Sequence, residues 1–252
     1  MLSTYRTLLT KKTQLNSDTY LYHFDLIEPK EIKFIPGQYM MLKAPSSKGP
    51  VSRLYSIASS NNIKDSFELI VETVPGGLGS NYLFSLKENT EVIFQGPAGM
   101  FGLHENEKNK VFMVTGTGIA PARSMIISNN QFPISKQIPN SKFQIYWGMK
   151  TYKEIYLLEE LKQLSNETME QFSFKICLSR EQNLDIIPDE DKKYFSLGHV
   201  DNCFFQQYSN LTIEQLNKFE FYLCGSRNVV ESLKQTLLTK NIPQENIIFE
   251  KF

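Results

Sequence analysis

The chain has 252 residues, 41% apolar and 12% aromatic, which suits one large domain or two of about 100 to 150 residues, and two are expected. Lys plus Arg equals Asp plus Glu at 27 each, so no global field draws in nucleic acid or an anionic membrane surface. The opening stretch MLSTYRTLLTKKTQLNSDTY lacks an apolar run of signal-peptide length, and nothing elsewhere approaches the ~20 apolar residues that span a bilayer, so a soluble cytoplasmic protein is expected.

In chain order, the first elements are short and alternating: TYLYHFDL, QYMMLKAP, RLYSIAS, FELIVETV and EVIFQG, punctuated by Pro36-Gly37, Pro45, Gly49-Pro50, Pro75-Gly76-Gly77 and Gly96-Pro97. Closely spaced strands with turn signals predict an antiparallel sandwich or barrel, with Phe67, Leu69 and Val71 on the core face of one strand. After the polar HENEKNK the pattern changes, and the apolar runs VFMVTG, KFQIYWG, FSFKICLS, FEFYLCG and NIIFEKF alternate with segments of helical period. Leu157, Leu161 and Leu164 recur at i, i+4, i+7, as do Val229, Leu233 and Leu237. Strands buried on both faces and separated by amphipathic helices predict a parallel α/β sheet. The expected domains are therefore residues 1–103 and 104–252.

Cys177, Cys203 and Cys224 are far apart and odd in number, which argues against a disulfide framework and against a metal cluster. His23, His104 and His199 are equally isolated, and surface or packing roles are expected for them.

Three stretches carry chemistry. In VSRLYSIASS, Arg53 and Tyr55 emerge on one face of a strand with Ser56 beside them; a delocalised cation suits a diphosphate and a phenol ring a flat heterocycle. An ordinary strand with a solvated arginine has the same pattern. PGGLGSNYLF offers bare backbone N–H groups at a helix start, fit for an anion or simply for a hairpin turn and a capped helix. VFMVTGTGIAPARSMI runs from a buried strand through Gly116-Thr117-Gly118 to Pro121 in a first helical turn, the arrangement that holds a dinucleotide pyrophosphate, although the third glycine of the usual fingerprint is missing.

Taken together, FIPGQY, RLYS, GGLGS, GPAGMFGL, GTGIAP, YWGMK, LSREQ, YLCGS and the terminal EKF resemble, in order and spacing, the ferredoxin-NADP reductase superfamily over nearly the whole chain. The resemblance implies a six-stranded antiparallel β-barrel that binds FAD, followed by a parallel, Rossmann-like α/β domain that binds NAD(P)H. It implies that Arg53 pairs with the FAD pyrophosphate, that Tyr55 packs on the isoalloxazine and that Ser56 hydrogen-bonds near flavin N5. Gly79 and Ser80 would complete the pyrophosphate cradle, with Leu54, Val71, Thr73, Gly77 and Leu78 as further FAD contacts and Thr117 approaching the flavin from the second domain.

For the pyridine nucleotide, the resemblance implies that Gly116, Thr117, Gly118 and Pro121 seat the pyrophosphate, flanked by Gly148 and Lys150, while Cys224 lies against nicotinamide C4 with Gly225 beside it as a further cofactor contact. Ser179 and Arg180 favour NADPH over NADH, since a hydroxyl and a guanidinium at a strand end suit a ribose 2'-phosphate, although Glu181 and the acidic stretch after it pull the other way. The FEKF ending is similar to oxygenase reductases, many of which use NADH; it would place Glu250 near the nicotinamide and Phe252 near the flavin face. The expected activity is hydride transfer from NAD(P)H to FAD, with Ser56, Cys224 and Glu250 in the hydride-transfer pocket, then single electrons to a separate ferredoxin or flavodoxin, because the fused iron-sulfur domain of oxygenase reductases has no counterpart here. Rival expectations are an NADH-dependent oxygenase reductase component, a flavin or quinone reductase, and an FAD-binding electron-transfer subunit without NAD(P)H activity of its own.

Overall fold

The computed structural model describes residues 2–47, 49–130, 141–168 and 171–252. Six strands come first: β1 (Ser3–Gln14), β2 (Thr19–Glu28), β3 (Tyr39–Ala44), β4 (Val51–Ser56), β5 (Ser66–Glu72) and β6 (Thr90–Ala98). They pair antiparallel in the order β4-β3-β6-β1-β2-β5. The bridge Ile57↔Leu69, with Ala58 N–H donating to Glu68 O at 2.8 Å, draws the end of β4 onto β5 and curls the sheet into the expected barrel. Its core is aromatic: the rings of Phe24 and Phe67 meet that of Phe94 edge-on at 4.9 and 5.2 Å. Phe67, Leu69 and Val71 point inward as their alternation predicts.

β1 is the strand that alternation does not announce. It is rich in Thr and Lys, two register shifts interrupt its pairing with β2, and the fully buried Thr7 is tolerated because its hydroxyl donates to Val92 O at 2.9 Å. A period-two pattern interrupted by bulges and a satisfied buried hydroxyl looks polar in sequence, yet β1 lies between β6 and β2 in the sheet.

Six more strands, β7 (Asn109–Thr115), β8 (Phe143–Met149), β9 (Phe172–Leu178), β10 (Phe195–Leu197), β11 (Phe219–Gly225) and β12 (Ile247–Lys251), form a wholly parallel sheet in the order β10-β9-β8-β7-β11-β12. All seven residues of β11 are buried, as a strand covered on both faces requires. Around these strands run α1 (Leu78–Ser85), α2 (Ile119–Asn130), α3 (Leu158–Glu167), α4 (Val200–Gln207), α5 (Ile213–Leu216) and α6 (Arg227–Thr239).

The helices differ from their expected stripes in detail. Leu157 stands outside α3 in a left-handed conformation (φ 58°), and only Leu161 of the predicted trio is buried, because Tyr152–Glu154 forms a 3-10 turn where the helix was expected. In α6 the buried positions are Val230, Leu233 and Leu237. β10, α4 and α5 have no expected counterpart; α4 is only eight residues long, too short for its Val200, Cys203 and Phe204 to declare a period.

By its contacts the chain divides into two units, one comprising the barrel, α1 and α2 from Ala120 onward, the other Glu105–Ile119 and the chain after residue 140. Within the first, Arg123 donates to Ala58 O (2.7 Å) and Glu68 (2.9 Å), and the Ser124 hydroxyl to Ser59 O (2.7 Å). Within the second, the fully buried Lys110 ammonium meets Glu220 at 2.7 Å; Asn106 and Tyr222 also donate to that carboxylate, so the buried charges are hydrogen-bonded on several sides. No described helix is long and apolar enough to cross a membrane.

Candidate functional site

Each of the two units carries a candidate site of its own. In the first, β4 pairs Arg53 with Leu42 and Tyr55 with Met40, so Arg53 and Tyr55 share one strand face and Leu54, 53% exposed, takes the other. The start of α1 rests on them: a Cβ at Gly79 would stand 2.6 Å from the Tyr55 hydroxyl and 2.7 Å from Arg53 Cγ, so only glycine allows the approach. The helix has Gly77 as N-cap, with no side-chain cap and no acidic residue in its first turn. Its amide end therefore lies open to an anion beside the Arg53 guanidinium, which donates to Ser52 O and has no carboxylate partner among the described residues. Burial pushes the Tyr55 hydroxyl up to about 12 despite Arg53 nearby, so the phenol stays protonated at neutral pH.

Thr73 adds a further signal. Its hydroxyl is buried with no hydrogen-bond partner among the described residues, while its N–H donates to Asp18 O at 2.7 Å. A buried orphan hydroxyl next to a glycine turn fits a polar group supplied from outside the chain. Two of the expected contacts are arranged differently. The Ser80 hydroxyl is drawn into the turn, accepting from Val74 N–H (3.2 Å) and donating to Gly77 O (3.4 Å), which leaves its backbone N–H for an anion. Val71 packs its side chain into the barrel core and Leu78 packs half-buried against it, so Val71 offers a ligand backbone alone. Ser56 is half-buried at the end of β4, opposite Tyr39.

The second candidate site follows from strand order. The chain leaves β7 toward β8, β9 and β10, then returns to add β11 and β12 on the other side, so the order reverses between β7 and β11. A crevice at the carboxyl ends of the strands at such a reversal is where open α/β sheets bind ligands. Here Gly116–Gly118 forms a 3-10 turn leading straight into α2, with Gly116 at φ 52° and Pro121 within the first turn of the helix. Gly118 presses on the neighbouring strand end, and an added methyl would overlap the Cys224 carbonyl.

Cys224 lies in register with Val114 on one side and Glu250 on the other. It is 1% exposed, and burial, with the Glu250 carboxylate nearby, pushes its thiol far up, so it is a compact neutral group rather than a thiolate nucleophile. Phe252 donates its N–H to Gly225 O (3.3 Å) and accepts from Arg227 N–H (3.1 Å), which clips the last residue to this turn while leaving its side chain 61% exposed.

Next along the strand ends, Gly148 is half-buried in β8 opposite Thr115 of β7, while Ser179 and Arg180 bond by their N–H groups to Met149 O (3.0 Å) and Lys150 O (2.9 Å). Lys150 and Arg180 are both exposed, and neither makes an ion pair among the described residues. The Ser179 hydroxyl donates to Met149 O (3.3 Å), and the Glu181 carboxylate is occupied by Tyr152 N–H (3.0 Å).

Comparisons with known proteins cover both parts of the chain. Residues 6–102 match the oxidoreductase FAD-binding domain family and residues 112–235 the oxidoreductase NAD-binding domain family. The chain belongs to the ferredoxin-NADP reductase superfamily. Protein RfbI of Salmonella typhimurium is 30% identical over 224 residues, 88% of this chain and 60% of that protein. The anthranilate 1,2-dioxygenase electron transfer component of Acinetobacter baylyi is 28% identical over 98% of this chain and 66% of its own length. The chain thus spans about three fifths to two thirds of these curated relatives. Among solved structures, the Amycolatopsis cytochrome P450 reductase GcoB superimposes with a TM-score of 0.83 at 23% identity, covering all of this chain and 70% of that one. The ferredoxin-NADP+ reductase of Plasmodium falciparum does so with 0.71 at 23% identity, over 98% of this chain and 95% of that one. At these identities the likeness is one of fold.

Within the superfamily frame, sequence reasoning singled out the glycine turns and the strand bearing Arg53 but assigned no role to Trp147, which is fully buried and donates its indole N–H to Gly116 O at 3.0 Å. The YWGMK stretch holding it was visible as a motif; the bond was not, since it joins residues 31 apart.

Proposed function

We propose that the chain is an NADPH-oxidising flavoenzyme that passes electrons singly to a carrier protein such as a ferredoxin or flavodoxin. FAD, when bound, supplies the capacity to accept a hydride and to release electrons one at a time. The chain's part is to hold and orient. Arg53 and the open amide end of α1 would neutralise the FAD pyrophosphate, Tyr55 would pack on the isoalloxazine, the Thr73 hydroxyl would find its missing partner there, and Ser56 would donate near flavin N5. In the second unit the turn at Gly116–Gly118 would seat the nucleotide pyrophosphate, and Cys224, buried and uncharged at the strand end, would give nicotinamide C4 a neutral neighbour, with Glu250 in register beside it. The observation that carries the reading is the closure of α1 on Arg53 and Tyr55 through Gly79, next to an orphan hydroxyl at Thr73.

NADPH is favoured over NADH because Lys150 and Arg180, at adjacent strand ends, make no ion pair among the described residues, while the carboxylate of Glu181, which would favour a ribose 2'-hydroxyl, is already bonded to Tyr152 N–H. Anaerobic reduction of the flavin-loaded protein by NADPH and NADH in parallel tests the whole reading. Faster bleaching by NADPH is expected, with Arg180→Ala eroding the preference about tenfold; protein that takes up no FAD overturns the proposal.

A second reading has its own support. Several relatives are named electron transfer components of toluate and xylene/toluene oxygenases, so the carrier would be an oxygenase-system protein and not a free ferredoxin or flavodoxin. Turnover with purified ferredoxin, flavodoxin and free flavin as acceptors separates these, and separates both from a diffusible flavin or quinone acceptor.

A further inference from the structure

Trp147 is the one tryptophan of the chain, buried at the end of β8 with its ring edge-on to Tyr156 at 4.8 Å and 75°. An indole has a single polar group, a donor, and a buried donor needs an acceptor. Here the acceptor is Gly116 O, at 3.0 Å, in the glycine turn between β7 and α2.

That choice has a geometric consequence. Gly116 C=O and Thr117 N–H belong to one planar trans peptide, so they point in opposite directions. With the carbonyl turned onto a fully buried indole, the Thr117 N–H is turned away from it, and Gly116 and Thr117 are both only half-buried. The same carbonyl accepts Ile119 N–H within the 3-10 turn, so the indole is a second donor on it and the one that comes from outside the turn; a flip of that peptide would rotate ψ of Gly116, which glycine allows, and φ of Thr117. A flipped peptide would present a carbonyl oxygen where an anionic pyrophosphate needs a donor.

We propose that Trp147 is a positioning residue for pyridine-nucleotide binding: its indole N–H, together with Ile119 N–H on the same carbonyl, holds the Gly116–Thr117 peptide in the orientation that offers Thr117 N–H to the nucleotide pyrophosphate. The inference rests on the reading of this turn as the nucleotide seat. It adds a determinant outside the turn itself, set by a side chain that never touches the nucleotide.

The test uses the flavin-loaded full chain in two forms besides wild type: Trp147→Phe, which keeps an aromatic ring against Tyr156, and Trp147 replaced site-specifically by 3-benzothienylalanine, which keeps the bicyclic shape and puts sulfur where the N–H stood. Calorimetric titration with NADP+ and with NAD+ should show affinity for the preferred nucleotide falling roughly tenfold in both forms, as loss of one positioned hydrogen bond predicts. FAD content should be unchanged. Global replacement by 7-azatryptophan, which affects no other position and keeps the N–H, should restore wild-type affinity. As a readout that a merely structural role would not move, the Thr117 amide resonance should shift on nucleotide addition in wild type and lose most of that shift in the benzothienyl form. Unchanged affinity in the benzothienyl form overturns the role of Trp147 and leaves the proposed function standing. Wild-type protein that binds neither nucleotide overturns the proposed function itself.

Discussion

In the function proposed here the two candidate sites face the same problem, holding a pyrophosphate, and the structure offers each different materials for it. In the first unit the grip would come largely from side chains standing on an antiparallel strand, Arg53 and Tyr55, met by the open end of α1. In the second it would come from backbone at the carboxyl ends of parallel strands, where Gly118 lies too close to the Cys224 carbonyl for any side chain and where Trp147 would act from behind. A parallel sheet delivers strand ends and helix starts to one edge, so main-chain amides converge there without help. An antiparallel barrel spreads its turns over both ends and must recruit side chains from a strand face. Substituting the strand side chain Arg53 in the first should therefore lower ligand affinity while the fold is kept, whereas substituting the turn glycine Gly118 in the second should cost fold and affinity together.

The sharpest contrast within the second unit is Glu220→Ala, at the opposite end of β11 from Cys224. It would leave the buried Lys110 ammonium without its counter-charge, at a cost of about 3 to 5 kcal/mol, and chemical denaturation should show the loss. Gly118→Ala comes next: overlap with a neighbouring carbonyl cannot be relieved by a rotamer change, so about 2 to 3 kcal/mol of stability should go together with nucleotide binding, read by thermal unfolding and by titration. In the first unit, Arg53→Ala should reduce FAD affinity by about 2 kcal/mol, roughly thirtyfold, with the melting temperature of the apoprotein nearly unchanged. An apoprotein melting far below wild type would break the comparison.

The smallest expected effect is one of pH. His23 bonds Glu68 and Asp25, and Glu68 in turn accepts from Arg123. Hydrogen bonding to Glu68 and the charges of Glu68 and Asp25, against burial, raise the His23 pKa above its ordinary 6.5. Its stabilisation of the first unit is therefore complete below 6.5 and fades as pH climbs through the raised value; because Asp25 is half exposed, the amount is below about 1 kcal/mol. Glu68 behaves oppositely: burial alone would raise it, but His23 and Arg123 outweigh that and hold it low, so its contribution is lost only as pH falls through the lowered carboxylate range. Thermal melts across neutral pH should show the histidine slope in wild type and not in His23→Gln.

By itself the sequence determined the elements whose signals are local. Runs such as FEFYLCG read as buried parallel strands because a strand covered on both faces needs no partner to declare itself, and the glycine turns at 76–80 and 116–118 stand out because only glycine meets their steric demands. β1 escaped, since its buried Thr7 is acceptable only once Val92 O is in place, and α4 escaped because eight residues carry too little period. The strand order, with its reversal between β7 and β11, the orphaned hydroxyl of Thr73, and the indole of Trp147 locking a peptide 31 residues away were decided by tertiary structure alone. Each depends on which distant groups are brought within hydrogen-bonding reach, and no window of sequence contains both partners.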